Sequence, residues 1–173
     1  IRKILQQLEK AELIKYAEPK LSDRTLRNLK EMNQLVGQAY FEKGDYKKAL
    51  PFLEKFSESS GTMREEEFYQ LAYTQYQVGQ YAKAAKNFEQ LSSVNTLLGQ
   101  TAMYYLGDCK LRSKDKIGAR SAFGAASKMA FDKDIQQNAL INFAKLSYEL
   151  HYDKEALAAL QDIKSGSKYY SDA

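Results

Sequence analysis

Residues 40–56 read YFEKGDYKKALPFLEKF, and whether that stretch stands alone or recurs decides the fold. A Gly-Asp pair separates an aromatic-ended run from an Ala with a Leu/Phe series behind it. Thirty-five residues on, residues 76–91 read YQVGQYAKAAKNFEQL, with Gly79, Tyr81, Ala84 and Phe88 in the places of Gly44, Tyr46, Ala49 and Leu53. After another thirty-five, residues 111–126 read LRSKDKIGARSAFGAA, where Ala119 and Phe123 continue the series. A period of this length marks a stack of supersecondary units that share one core.

Outward from that stretch, the same kinds of residue keep returning. Gly37, Ala72 and Gly107 share one small position, and Ala39, Thr74 and Cys109 share the small slot two residues later. Ala49, Ala84 and Ala119 form a third small position, with Leu53, Phe88 and Phe123 as a large one. A fourth copy fits when the connection lengthens by two residues, placing Ala144, Ala156 and Leu160 in the series. Each unit reads as two helices. In the second, Phe68, Leu71, Ala72 and Gln75 follow the three-four spacing of one helix face, and Ala84, Ala85, Phe88 and Leu91 do so for its partner. Helices that cross at about 8–10 Å need little side chain at the contact, which explains the small positions. Gly44 and Gly79 stand where a helix ends in a left-handed residue. The third and fourth copies put Lys114 and His151 there instead, with Lys116 and Asp153 in the place of the aromatic. Pro51 is expected within about the first turn of a second helix, where proline is tolerated.

Glycine at the turn, an aromatic two residues later, Ala three beyond and a large apolar residue four further: this pattern resembles the tetratricopeptide repeat family. The first copy supplies Val36-Gly37, Tyr40, Gly44, Tyr46, Ala49 and Leu53; the second Leu71-Ala72, Gly79, Tyr81, Ala84 and Phe88; the third Leu106-Gly107, Ala119 and Phe123. The proline that usually ends the family's second helix is missing, with Gly61 there in the first copy. The resemblance implies an all-α, right-handed superhelical solenoid of stacked antiparallel helix hairpins. About four repeats are expected within 30–173, at approximately 30–64, 65–99, 100–136 and 137–170. Residues 1–29 read as a packed N-terminal helical extension. Ile4, Leu5, Leu8, Ala11 and Ile14 share about one face, as the trailing helix of an upstream repeat would have it. Pro19 then breaks the chain, and Ser22-Asp23 caps a long helix through Tyr40.

Composition agrees and narrows the function classes. A chain of 173 residues, 44% hydrophobic and 12% aromatic, can bury a sizeable core, and two prolines leave helix unbroken. The net charge of +4 comes from bases interspersed with acids, without the basic stripe of a nucleic-acid surface, so no nucleic-acid partner is expected. No run reaches the length of a transmembrane segment. A single Cys109 in a small slot reads as a buried packing thiol, excluding an internal disulfide and a thiolate metal cluster. The sole histidine, His151, falls in a turn far from Cys109 and reads as exposed. Glu65, Glu66 and Glu67 precede a helical run and suit its N-terminus. No Gly-rich phosphate loop is present, and neither catalysis nor a cofactor or metal site is expected.

The resemblance also implies which residues face a partner, because first helices line the family's concave side. The inward positions carried over are Gln34, Gln38 and Phe41, then Tyr69, Tyr73 and Tyr76, then Tyr104, Tyr105, Asp108 and Arg112, and last Asn142, Lys145 and Tyr148. Tyrosine combines contact area, low entropic cost and a hydroxyl, and so suits an interface. Tyr40, Tyr46 and Tyr81 are assigned to packing. A basic clamp for a peptide's C-terminal carboxylate is disfavoured, since Glu31, Gln34, Gln38, Tyr69, Gln70 and Tyr73 hold its stations. The expected function is a non-catalytic scaffold binding a protein or peptide segment in this groove. Two alternatives stay open: a structural spacer in a longer repeat array, or a regulatory domain of a larger protein. End repeats without polar caps leave self-association by end-to-end stacking open as well. Similarity to multi-repeat proteins of bacteria, often of the cell envelope, implies that compartment over the cytoplasm.

Overall fold

The computed structural model describes residues 22–163, and these form eight helices joined by short connections. They are α1 (Asp23–Glu42), α2 (Tyr46–Ser59), α3 (Glu65–Gln77), α4 (Tyr81–Glu89), α5 (Leu97–Arg112), α6 (Lys116–Lys128), α7 (Lys133–Glu149) and α8 (Asp153–Asp162). The expected extension lies mostly outside the described residues, although Ser22 does cap α1, its Oγ accepting from the Thr25 N–H at 3.2 Å. Asp45, Thr96, Asp115 and Asp132 likewise accept from an N–H of the first turn they precede, satisfying a donor that has no partner within the helix. At α3 the acidic run takes over that work: the Glu67 carboxylate turns back to the Arg64 N–H at 2.8 Å.

All four hairpin turns share one geometry. At the first, the Gly44 N–H reaches the Phe41 carbonyl and the Asp45 N–H reaches back to that of Tyr40, both at 2.9 Å. The same pair of bonds recurs at Gly79, Lys114 and His151. This closure needs a left-handed residue, and φ is 73° at Gly44, 83° at Gly79, 64° at Lys114 and 62° at His151. The third and fourth copies therefore keep the turn without its glycine, at a steric cost borne by Cβ. Lys114→Gly and His151→Gly should each stabilise the protein by about 0.5–1 kcal/mol, the relief being partly offset by a freer unfolded chain. Urea denaturation of the single and double variants measures this.

Each even helix packs on the odd helix before it, and α2, α4 and α6 also pack on the one after. The odd helices also touch in series, α1 with α3, α3 with α5 and α5 with α7, whereas even helices approach one another at most marginally. The odd helices thus form the crowded inner side of a curved stack. The small positions work as the spacing implies. A Cβ on Gly37 would sit 2.7 Å from Leu53 Cδ2, and one on Gly107 would meet the Phe123 ring at 2.8 Å. Cys109 is fully buried, and burial pushes its thiol up to about 12, with Asp108 adding to the rise. It is a packing residue. His151 is exposed.

Two expectations need correction. Pro51 is the sixth residue of α2, a turn deeper than its tolerated place, so the Lys47 carbonyl loses its helical donor. Both residues are exposed, which lets water replace the bond. Leu91 does not continue the helical face of Phe88. α4 ends at Glu89, and the chain tightens into three-residue closures from Gln90 to Val94 that swing Leu91 and Val94 into the core.

Candidate functional site

Tyr69, Tyr73 and Tyr76 recur at spacings of four and three along α3, so their rings share one face. Tyr69 stacks on Tyr73 with centroids 5.8 Å apart, and Tyr73 on Tyr76 at 6.2 Å. From α5, Tyr105 meets Tyr73 edge-on at 5.1 Å and Tyr76 at 5.0 Å, and Tyr104 meets Tyr105 at 5.9 Å. On the other side, Phe41 and Tyr46 reach Tyr73 at 6.1 and 5.6 Å. These rings are half-buried on the odd-helix face, and beneath them lie core phenylalanines. Tyr69 and Tyr105 rest on Phe88, and Tyr104 on Phe123. The same tyrosines thus pack on the core and keep part of their rings open on the inner face.

The patch has a polar end. The Tyr76 hydroxyl donates to Asp108 Oδ2 at 2.7 Å, and Arg112 Nε donates to the same oxygen at 2.7 Å. The guanidinium also lies over Tyr81 and Tyr76, 5.0 and 5.8 Å from their ring centres. Asp108 and Arg112 therefore answer each other's charge and orient Tyr76. Burial comes first in pushing the Tyr69 and Tyr76 phenols up to about 12, with Tyr73 and the bond to Asp108 adding respectively. Tyr105 is raised further, again chiefly by burial. These hydroxyls stay protonated donors well into alkali. The unfolded chain releases such protons near the ordinary value of 10.0 and the folded chain later, so stability present below pH 10.0 is lost as pH climbs toward 12. Phenolate absorbance should show Tyr69→Phe and Tyr76→Phe each removing a late-titrating group, and alkaline unfolding should begin above pH 10.0.

The sequence-derived groove residues separate into three sets. Tyr69, Tyr73, Tyr76, Tyr104, Tyr105, Asp108 and Arg112 form one connected patch. Asn142, Lys145 and Tyr148 stand on the next odd helix, where Asn142 donates to the Asn138 carbonyl at 2.9 Å and the other two are exposed. Gln34 and Gln38 are engaged elsewhere: Gln34 donates to buried Glu67 at 2.7 Å, tying α1 to α3, and Gln38 donates to Glu42. Two residues assigned to packing, Tyr46 and Tyr81, join the patch edge. Their shared place two residues after a turn glycine was the available signal. Tyr40 does pack, against Phe52 at 6.0 Å.

Among the described residues, no group of three His, Cys, Asp or Glu could hold a metal ion, and no helix is long and apolar enough to cross a membrane.

A stack of helical hairpins with small interhelical positions and an aromatic inner face defines an α-helical repeat scaffold. Residues 69–135 match the family model for the tetratricopeptide repeat. Among solved structures, that of MamA protein is 16% identical, covering 77% of this chain and 70% of its own at a TM-score of 0.61. YrrB, described as a TPR protein with an unusual peptide-binding site, is 19% identical over 90% of this chain and 79% of its own, with a TM-score of 0.61. PcrH from Pseudomonas aeruginosa is 18% identical over 73% and 95%, at 0.53. No curated protein matches. Likeness at these identities is likeness of fold.

Proposed function

We propose that this protein is a non-catalytic scaffold that holds a partner's extended or helical segment against the tyrosine patch of α3 and α5. The observation that carries the reading is the position of Tyr73: its ring touches those of Tyr69, Tyr76, Tyr105, Tyr46 and Phe41 yet stays partly open on the inner face. Rings held by core phenylalanines lose little freedom when a partner arrives, which lowers the ordering cost of binding. The protonated Tyr69 hydroxyl offers a donor to a partner's backbone carbonyl, while the Tyr76 hydroxyl is held by Asp108, whose pair with Arg112 fixes one edge of the site. Asn142, Lys145 and Tyr148 extend the track onto α7. A peptide-binding site in YrrB, whose fold is similar, supports such a use.

The test is selection of peptides from a displayed random library on the full chain, followed by hydrogen-exchange footprinting of the best binder. Slowed exchange in α3 and α5, with at least tenfold weaker binding by Tyr73→Ala of unchanged helicity, is the expected result. A footprint confined to α4, α6 or α8, or no selectable binder, sinks the proposal and leaves the spacer reading.

A further inference from the structure

The charges at the polar end of the tyrosine patch do not cancel. Asp108 is answered by Arg112, and Glu149 by Lys116, whose Nζ reaches Oε2 at 2.7 Å. Lys145 is exposed and makes no ion pair among the described residues. It follows Ala144 as Asp108 follows Gly107, which gives it on α7 the place Asp108 holds on α5, and the two helices touch. Arg112, Lys116 and Lys145 against Asp108 and Glu149 therefore leave one positive charge on this end of the inner face. Toward α1 the surplus disappears. The places of Asp108 and Arg112 are held there by Tyr73 and Gln77 on α3, and by Gln38 and Glu42 on α1. Arg112 is also set to receive an acceptor. Its Nε is engaged by Asp108, and Nη1 stands 3.4 Å from the Tyr81 hydroxyl. A guanidinium carries five N–H donors, so others remain for an incoming group, and the side chain is 48% exposed. The rings of Tyr81 and Tyr76 and the carboxylate of Asp108 fix its plane, so little rotamer freedom is lost when a further oxygen binds.

We propose that the partner segment presents one internal Asp or Glu side chain to Arg112 and Lys145, beside an apolar residue resting on Tyr73 and Tyr105. The proposal rests on the tyrosine patch being the docking face. Charge selects a carboxylate over a phosphate: the surplus is a single charge, and a phosphate monoester brings about 1.5–2. A side chain suits the place better than a chain end, because the inner face continues past the pair in both directions, to Tyr69 on α3 and to Asn142 and Tyr148 on α7. An oxygen shared between the two cations makes charge-assisted bonds at the edge of a ring surface, where water competes less. With the cations at one end only, the acid also sets which way the segment runs.

The probes are the peptides selected from the displayed random library on the full chain, remade with acetylated and amidated ends. The expected result is an Asp or Glu recurring at one fixed distance from an aromatic or aliphatic residue. Replacing that acid by Asn or Gln should weaken binding at least about tenfold. Full-chain Lys145→Glu changes an exposed residue, and should lose at least about tenfold for the acidic peptide but under about twofold for its Asn or Gln version. Arg112→Gln should show the same selective loss. Binders that footprint on α3 and α5 without an acid preference overturn the proposal and leave the patch reading standing. An acid preference that survives both substitutions, or binding that is lost on amidation of the C-terminus, does the same. No selectable binder, or a footprint confined to α4, α6 or α8, overturns the patch reading and this proposal with it.

Discussion

Gln100→Leu should lower stability by about 3–4 kcal/mol, moving the thermal midpoint down by about 10 °C. Gln100 is fully buried in the first turns of α5, and its amide stitches down the α6–α7 connection. Its Oε1 accepts from the Asp132 N–H at 2.7 Å, while Nε2 donates to the Met129 and Asp132 carbonyls at 2.8 and 3.0 Å and reaches that of Ala126 at 3.4 Å. Leucine preserves the volume but leaves the Asp132 N–H and the Met129 carbonyl without this partner, while the Ala126 and Asp132 carbonyls keep the Met129 and Gln136 N–H groups. Each stranded group costs about 1–3 kcal/mol, and groups on one loop relax together rather than adding fully. Gln100→Glu sharpens the test. The carboxylate can still accept from Asp132 but turns a negative oxygen toward carbonyls, so it should be worse than leucine at neutral pH. The gap should narrow in mild acid, where a protonated carboxyl donates again. Urea denaturation at two pH values reads both effects. A loss below about 1 kcal/mol for leucine would mean that the connection is held by other contacts.

Sequence periodicity reached some of these features and missed others for a physical reason. It reports which positions must be small, large or left-handed in every copy. The pairing of Gly37 with Leu53 and Gly107 with Phe123, and the turns at Gly44 and Gly79, were therefore legible. So was the spacing that puts Tyr69, Tyr73 and Tyr76 on one face. Gln100 was not, because it belongs to one copy alone. The thirty-five-residue correspondence matches it to Glu65, the exposed first residue of α3. α5 instead starts one turn earlier, at Leu97 behind the Thr96 cap, and the added turn carries Gln100 inside. Contacts between hairpins were equally out of reach. Nothing in the spacing of Tyr76 indicates that its hydroxyl meets Asp108, thirty-two positions away, or that Arg112 lies over Tyr81. A repeat shows what the copies share, and the surface chemistry lies in what they do not.

The last expected result concerns another feature of a single copy. Gly99→Ala should cost about 3 kcal/mol or more, although alanine is the better helix former. A Cβ there would fall 1.7 Å from the Val94 carbonyl oxygen, and that obstacle is backbone, which cannot swing aside as a side chain can. Retreat is closed from both directions. On one side, the Gly99 N–H is bonded to the Thr96 hydroxyl at 3.4 Å, so withdrawing the helix start breaks its cap. On the other, Val94 is held in the core by the tight closures that end α4, so moving its carbonyl pulls Val94 and Leu91 outward. Two controls give the scale. Gly107→Ala meets only the Phe123 ring, which can yield, and should cost about 1–2 kcal/mol after the gain in helix propensity. Gly61→Ala has open space around it and should stay within about 0.5 kcal/mol of the parent. Thermal unfolding of the three variants gives the order. If Gly99→Ala matches Gly107→Ala, the Leu91–Val94 closure is soft enough to move as a unit. The larger loss would show that one close backbone approach sets where α5 begins, and with it the burial of Gln100 on the same turn.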